Sequence, residues 1–164
     1  MVKRIKKSDW TSFLSSLSER NRFRPITVEG DTRAKGDSTT RLYFIGVKLR
    51  RQGEDVHLDV YVCSPSDARV GFLSSSVPSP QSLSVEETTQ DGVRLLTATY
   101  GTRGKMQLRF TGPLDSEVRR DTIAKLAYFL YERRGGLGGS ELQNWGDAER
   151  LLSNWEGLIE QKFI

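Results

Sequence analysis

The spacing of the hydrophobic positions changes twice along the chain. Trp10, Phe13, Leu14 and Leu17 lie at i, i+3, i+4 and i+7, one face of a helix. Ser8 reads as its N-cap, Asp9 falls in its first turn and Arg20 near its last. The helix is expected to end by Asn21, ahead of Pro25. From Pro25 to Thr111 the period is two. Ile26 and Val28 give a short strand. A second strand spans residues 42–50, with Tyr43, Ile45, Val47 and Leu49 on one face and Gly46 on the other as a candidate bend or bulge. Val56, Leu58, Val60 and Val62 then alternate with His57, Asp59, Tyr61 and Cys63, which predicts one buried face and one wet face. Further strands read at 70–72, 83–85, 93–100 and 106–111, with Met106, Leu108 and Phe110 inward. Asp91-Gly92 is a hairpin turn, residues 30–40 are a polar loop, and Ser64-Pro65-Ser66-Asp67 turns the chain.

Past Gly112-Pro113 the helical period returns. Asp115 and Ser116 are the candidate N-caps, and Val118, Ile123, Leu126, Ala127 and Leu130 form the apolar stripe. Arg133 and Arg134 suit the C-terminal end of the dipole, and Gly135 suits a left-handed cap. A second helix follows, from Ser140 with Gln143 as a capping box or from Asn144 with Asp147; the sequence is compatible with both starts. Trp145, Ala148, Leu152, Trp155 and Ile159 make its stripe. Two such helices on a short connection pack antiparallel. Tyr128, Phe129 and Tyr131 lie off the main stripe of the first.

The whole reads as an α+β protein: an N-terminal helix, an antiparallel sheet or half-open barrel of about six strands, and a C-terminal helical hairpin. The expected division is a helix-plus-β body over 1–112 and a hairpin over 113–164.

The hairpin carries a family resemblance. Ile123, Ala127, Tyr128, Leu130, Tyr131, Glu132, Arg134 and Gly135, then Gly139, Leu142, Trp145, Ala148, Glu149 and Leu152, resemble in order and spacing the bacterial family called domain of unknown function 2934. One departure is Gly138-Gly139-Ser140, where the family favours a Gly-x-Asp cap. The body resembles a second bacterial family, domain of unknown function 5335. That likeness rests on Trp10 and Phe13, residues 55–62, Val77-Pro78, Asp91-Gly92 and Leu108-Arg109-Phe110, with residues 30–54 departing most. The first resemblance implies a helical hairpin. Neither implies an activity.

Composition narrows the function. At 164 residues the chain is long enough for one domain with a core of its own. No apolar run approaches the length of a membrane span, and the basic N-terminus lacks the apolar stretch of a signal peptide. A cytoplasmic bacterial protein is expected. The single cysteine excludes an internal disulfide and any multi-cysteine metal site. The net charge of +4 is uneven: residues 1–60 carry thirteen Lys and Arg against eight Asp and Glu, whereas residues 113–164 carry seven against nine.

Catalytic patterns are missing. The only His, His57, and the only Cys, Cys63, lie six residues apart on one strand face, ~20 Å at the rise of a strand, too far for a dyad. His57 and Asp59 share a face and could form a base–orienter pair, but no nucleophile accompanies them. Residues 135–139 form a glycine-rich approach to a helix, without the strand before it or the Lys-Ser/Thr after it that phosphate loops have. No cofactor and no metal are expected. The leading expectation is a non-enzymatic accessory or adaptor protein acting by protein–protein contact, with Tyr128, Phe129, Tyr131, Arg134, Trp145 and Trp155 meeting a protein partner or a second copy. The alternative is an electrostatic nucleic-acid binder using Lys3, Arg4, Lys6, Lys7, Arg22 and Arg24.

Overall fold

The computed structural model describes residues 2–30, 41–66, 70–88, 90, 92–136 and 141–155. Its elements run β1 (Val2–Arg4), a 3-10 turn (Lys7–Asp9), α1 (Trp10–Asn21), β2 (Pro25–Gly30), β3 (Leu42–Gln52), β4 (Asp55–Cys63), β5 (Phe72–Pro78), β6 (Ser82–Thr88), β7 (Gly92–Tyr100), β8 (Gly104–Phe110), α2 (Ser116–Arg133) and α3 (Glu141–Ser153). The polar loop after Gly30, Asp67, Asp91, Ser140 and Ile159 lie outside the described residues.

The strands form one antiparallel sheet of eight, in the order β1-β6-β7-β8-β2-β3-β4-β5. The class is α+β as the periodicity implies, with more strands than the six it suggests. One addition is β1. The basic N-terminus does not fray: Lys3 pairs with Val85 and Arg4 with Ser84 on β6. Three residues are too few to show alternation, so β1 leaves no periodic signature.

The sheet curls until β5 comes within 8 Å of β7, and α1 packs against β3 within the curl. Phe44, Val60, Leu96, Met106 and Leu108 are wholly buried there beside Leu14 and Leu17 of α1. Phe44 and Phe110 meet edge to face, 5.2 Å between centroids at 81°. The start of α1 differs from expectation. Ser8 sits inside the 3-10 turn, Asp9 is the N-cap residue, and no side chain caps the helix. Trp10 anchors that end instead, its indole N–H donating to the Ile5 carbonyl at 3.0 Å.

The face assignment along β3 needs correction. Tyr43, Ile45, Val47 and Leu49 do not share a face, because the register shifts between Phe44 and Gly46. A bulge places two consecutive residues opposite one on the partner strand. Tyr43 and Ile45 therefore point to the outer face, whereas Val47 and Leu49 point into the curl. The Ser18 hydroxyl receives the Val47 N–H at 2.9 Å, tying α1 to the strand just past the bulge.

The expected wet face of β4 is also wrong. Residues 58–63 are buried without interruption. Val60 and Val62 belong to the inner core, and Tyr61 and Cys63 to a second cluster on the outer face. Strand residues covered on both faces lose the alternation that marks a half-exposed strand. The covering layer is the helical hairpin. Val118, Ile123, Leu126, Ala148, Leu152 and Trp155 pack there with Tyr43, Ile45, Tyr61 and Cys63. Phe23 adds its ring to the same cluster from a left-handed backbone, φ 70°. Its N–H donates to the Phe44 carbonyl, and its own carbonyl accepts from Asp115, so one residue joins α1, β3 and the start of the hairpin.

Candidate functional site

The hairpin has two stripes with different fates. Asp115 begins α2 as expected: its Oδ1 accepts the N–H groups of Glu117 and Val118, both at 3.1 Å. The helix ends as expected too. Gly135 and Gly136 take positive φ, and the Gly136 N–H reaches back to the Tyr131 carbonyl. Between these caps, Val118, Thr122, Ile123 and Leu126 are buried. On the other stripe Tyr128 is 62% exposed, Tyr131 45% and Phe129 39%, and Leu142 on α3 is 82% exposed.

Tyr128 and Tyr131 stack, with centroids 6.4 Å apart at 30°. With Ala124, Ala127, Asn144 and Trp145 they line a groove of about 380 Å³ between α2 and α3. Trp145 is half-buried, with one part against the outer core and another in the groove. Hydrogen bonding to the Glu132 carboxylate pushes the Tyr128 phenol above its ordinary value, so the Tyr128 ring is a neutral hydrogen-bond donor across the physiological range.

Arg134 crosses between the helices. Its guanidinium donates to Asn144 Oδ1 at 2.5 Å and to Asp147 Oδ2 at 2.7 Å. Asp147 also accepts from Arg150. The Arg134 hydrogen bond holds the Asp147 carboxyl below the usual carboxylate range. Arg134 thus fixes the angle of the groove walls. Trp155 lies elsewhere. It is 4% exposed, flat over Gly46 and 5.6 Å from the Tyr61 ring. A Cβ on Gly46 would fall 2.5 Å from that indole. The sequence could not pair these two residues, since bulge and ring are more than a hundred positions apart.

The basic residues also separate. Arg24 is buried and donates to the Gly112 and Val93 carbonyls and to Asn21 Oδ1, with its guanidinium 4.8 Å above Phe110. Arg22 donates to the Ile45 carbonyl, and burial lowers its pKa. Both serve the fold. Lys7 lies over the Trp10 ring, 5.7 Å to its centroid. Lys3, Arg4 and Lys6 are exposed.

His57 and Asp59 are not brought together as base and orienter. Asp59 is wholly buried, with Oδ2 taken by Arg50 at 2.6 Å and Oδ1 by the Ser76 hydroxyl at 2.7 Å. His57 Nδ1 stands 3.5 Å from that hydroxyl. Ser76 therefore gives its proton to a carboxylate, the opposite of a nucleophile relayed through histidine. The Cys63 thiol lies under the hairpin, and burial pushes it up to about 11.

Among the described residues no helix is long and apolar enough to cross a membrane. Residues 118–153 match the family described as Protein of unknown function (DUF2934). That stretch is the hairpin, from the first buried residue of α2 to the last of α3. No curated protein and no solved structure matches the chain.

Proposed function

We propose that this chain is a non-enzymatic bacterial accessory protein, working in the cytoplasm through protein–protein contact made by the outer stripe of its hairpin. The observation that carries the reading is the groove between α2 and α3, with Tyr128, Tyr131 and Trp145 in its walls and Phe129 exposed beside it. Exposed aromatics clustered on a rigid element suit an interface anchor, because they bring large contact area at small entropic cost. The engagement of Asp59 by Arg50 and Ser76 supports the non-enzymatic part. The likeness of the body to domain of unknown function 5335 is likewise our reading; its support is the pattern of Trp10, Phe13 and the strand at 55–62.

The test compares the wild type with the double variant Tyr128→Ala, Tyr131→Ala by sedimentation and by capture of binding proteins. Loss of self-association or of a captured partner, at an unchanged unfolding midpoint, is expected. Identical assembly and identical capture in the two proteins would sink the reading.

A further inference from the structure

A second groove is lined by residues outside the hairpin. It opens between β1 and α1, measures about 480 Å³ and is lined by Lys3, Arg4 and Lys6 on one wall and Arg20 on the other. Pairing of Lys3 with Val85 sets its position on the strand, and Arg20 sits in the last turn of α1. Among the described residues none of these four cations is in an ion pair. Asp9 and Glu87 also line the groove, leaving four cations against two acids. Phe13 and Val93 contribute apolar surface, and Ser16 contributes a hydroxyl.

We propose that this groove binds a phosphate-bearing anion. Charge on two facing walls suits a ligand with oxygens on several sides, and phosphate offers that where a lone carboxylate does not. Arg4 and Arg20 can each bind two phosphate oxygens through a planar fork, and Lys3 and Lys6 act as point charges. Exposed cations left unpaired in the fold also lose little on meeting such a ligand, since no internal ion pair must break. The same chemistry fits a small polyphosphate or one stretch of a single-stranded nucleic acid, whose backbone contacts are salt-dependent. The basis differs from the expectation built on the whole basic N-terminal region. Arg22 and Arg24 drop out because the fold uses them, and Arg20 joins from α1.

Titration calorimetry at low salt tests this with inorganic triphosphate, a short single-stranded oligonucleotide and polyglutamate. Binding of triphosphate or of the oligonucleotide is expected, weakening as salt rises. Arg20→Gln should weaken it about tenfold, the size of one charged hydrogen bond. Arg119→Gln, on the exposed hairpin, should leave it unchanged. Equal affinity for the first two probes identifies a small phosphate ligand; an oligonucleotide preference identifies a strand. Either supports the proposal. No binding of either phosphate probe, tighter binding of polyglutamate, or equal losses in the two variants overturns it.

Discussion

The two faces of the β3–β4 ladder are both buried, but by different means. The inner face is covered by the sheet's own curl and by α1, so its residues come from nearly every strand. The outer face is covered by α2, α3 and Trp155, with Phe23 and Val70 beside them, against a few strand residues around a bulge. The inner core therefore holds the whole fold, whereas the outer core holds one layer. A substitution inside the curl should unfold the protein; one on the outer face should loosen the hairpin.

The largest effect is expected within the curl. Phe44→Ala removes a ring that is wholly buried against Phe110, and should cost about 4 kcal/mol in denaturant unfolding. A loss near 1 kcal/mol would mean that the inner core does not dominate.

The second effect is pH-dependent and belongs to the outer face. Cys63 titrates near 9.0 when unfolded and near 11 when covered. The covered thiol keeps its proton, so between these values the unfolded state binds fewer protons and stability falls as pH rises. The Cys63 contribution is whole below pH 9 and lost through pH 11, roughly 3 kcal/mol, and Cys63→Ser should flatten this part of the stability profile. An equally steep fall in the variant would remove Cys63 as its cause.

The smallest of the three effects is the most local. Gly46→Ala puts a methyl into the Trp155 indole and should cost about 2 kcal/mol, the usual size of overpacking. The inner core should keep its unfolding midpoint better than in Phe44→Ala.

The same contrast explains what the sequence disclosed. Val60, Val62, Met106, Leu108 and Phe110 face one way at period two, and that half of the fold is legible. So are the caps of α2 at Asp115 and Gly135, which depend only on neighbouring residues. The outer core is not legible, because it depends on a bulge that reverses the faces after Ile45. A period-two reading carries one face straight through such a point. Tyr61 and Cys63 look wet for a separate reason: the α2–α3 layer and Trp155 that cover them are remote in sequence. For the candidate site, Tyr128, Phe129 and Tyr131 were visible as aromatics off the helical stripe. Arg134's tie to Asn144 and Asp147 was not, since it crosses a connection whose geometry the sequence does not state.

The hairpin has two stripes: that around Ile123 and Trp155 packs on the sheet, and that around Tyr128 and Tyr131 stays exposed, where we propose that a partner docks. Alkylation of Cys63, which lies beneath the hairpin, measures this most directly. Gly46→Ala should speed labelling by about thirtyfold, the equivalent of 2 kcal/mol, if labelling follows the population of the undocked state. Tyr128→Ala, Tyr131→Ala should label at the wild-type rate. Fast labelling in the tyrosine variant, with Gly46→Ala unchanged, would mean that the exposed stripe, not the Trp155 stripe, holds the hairpin down.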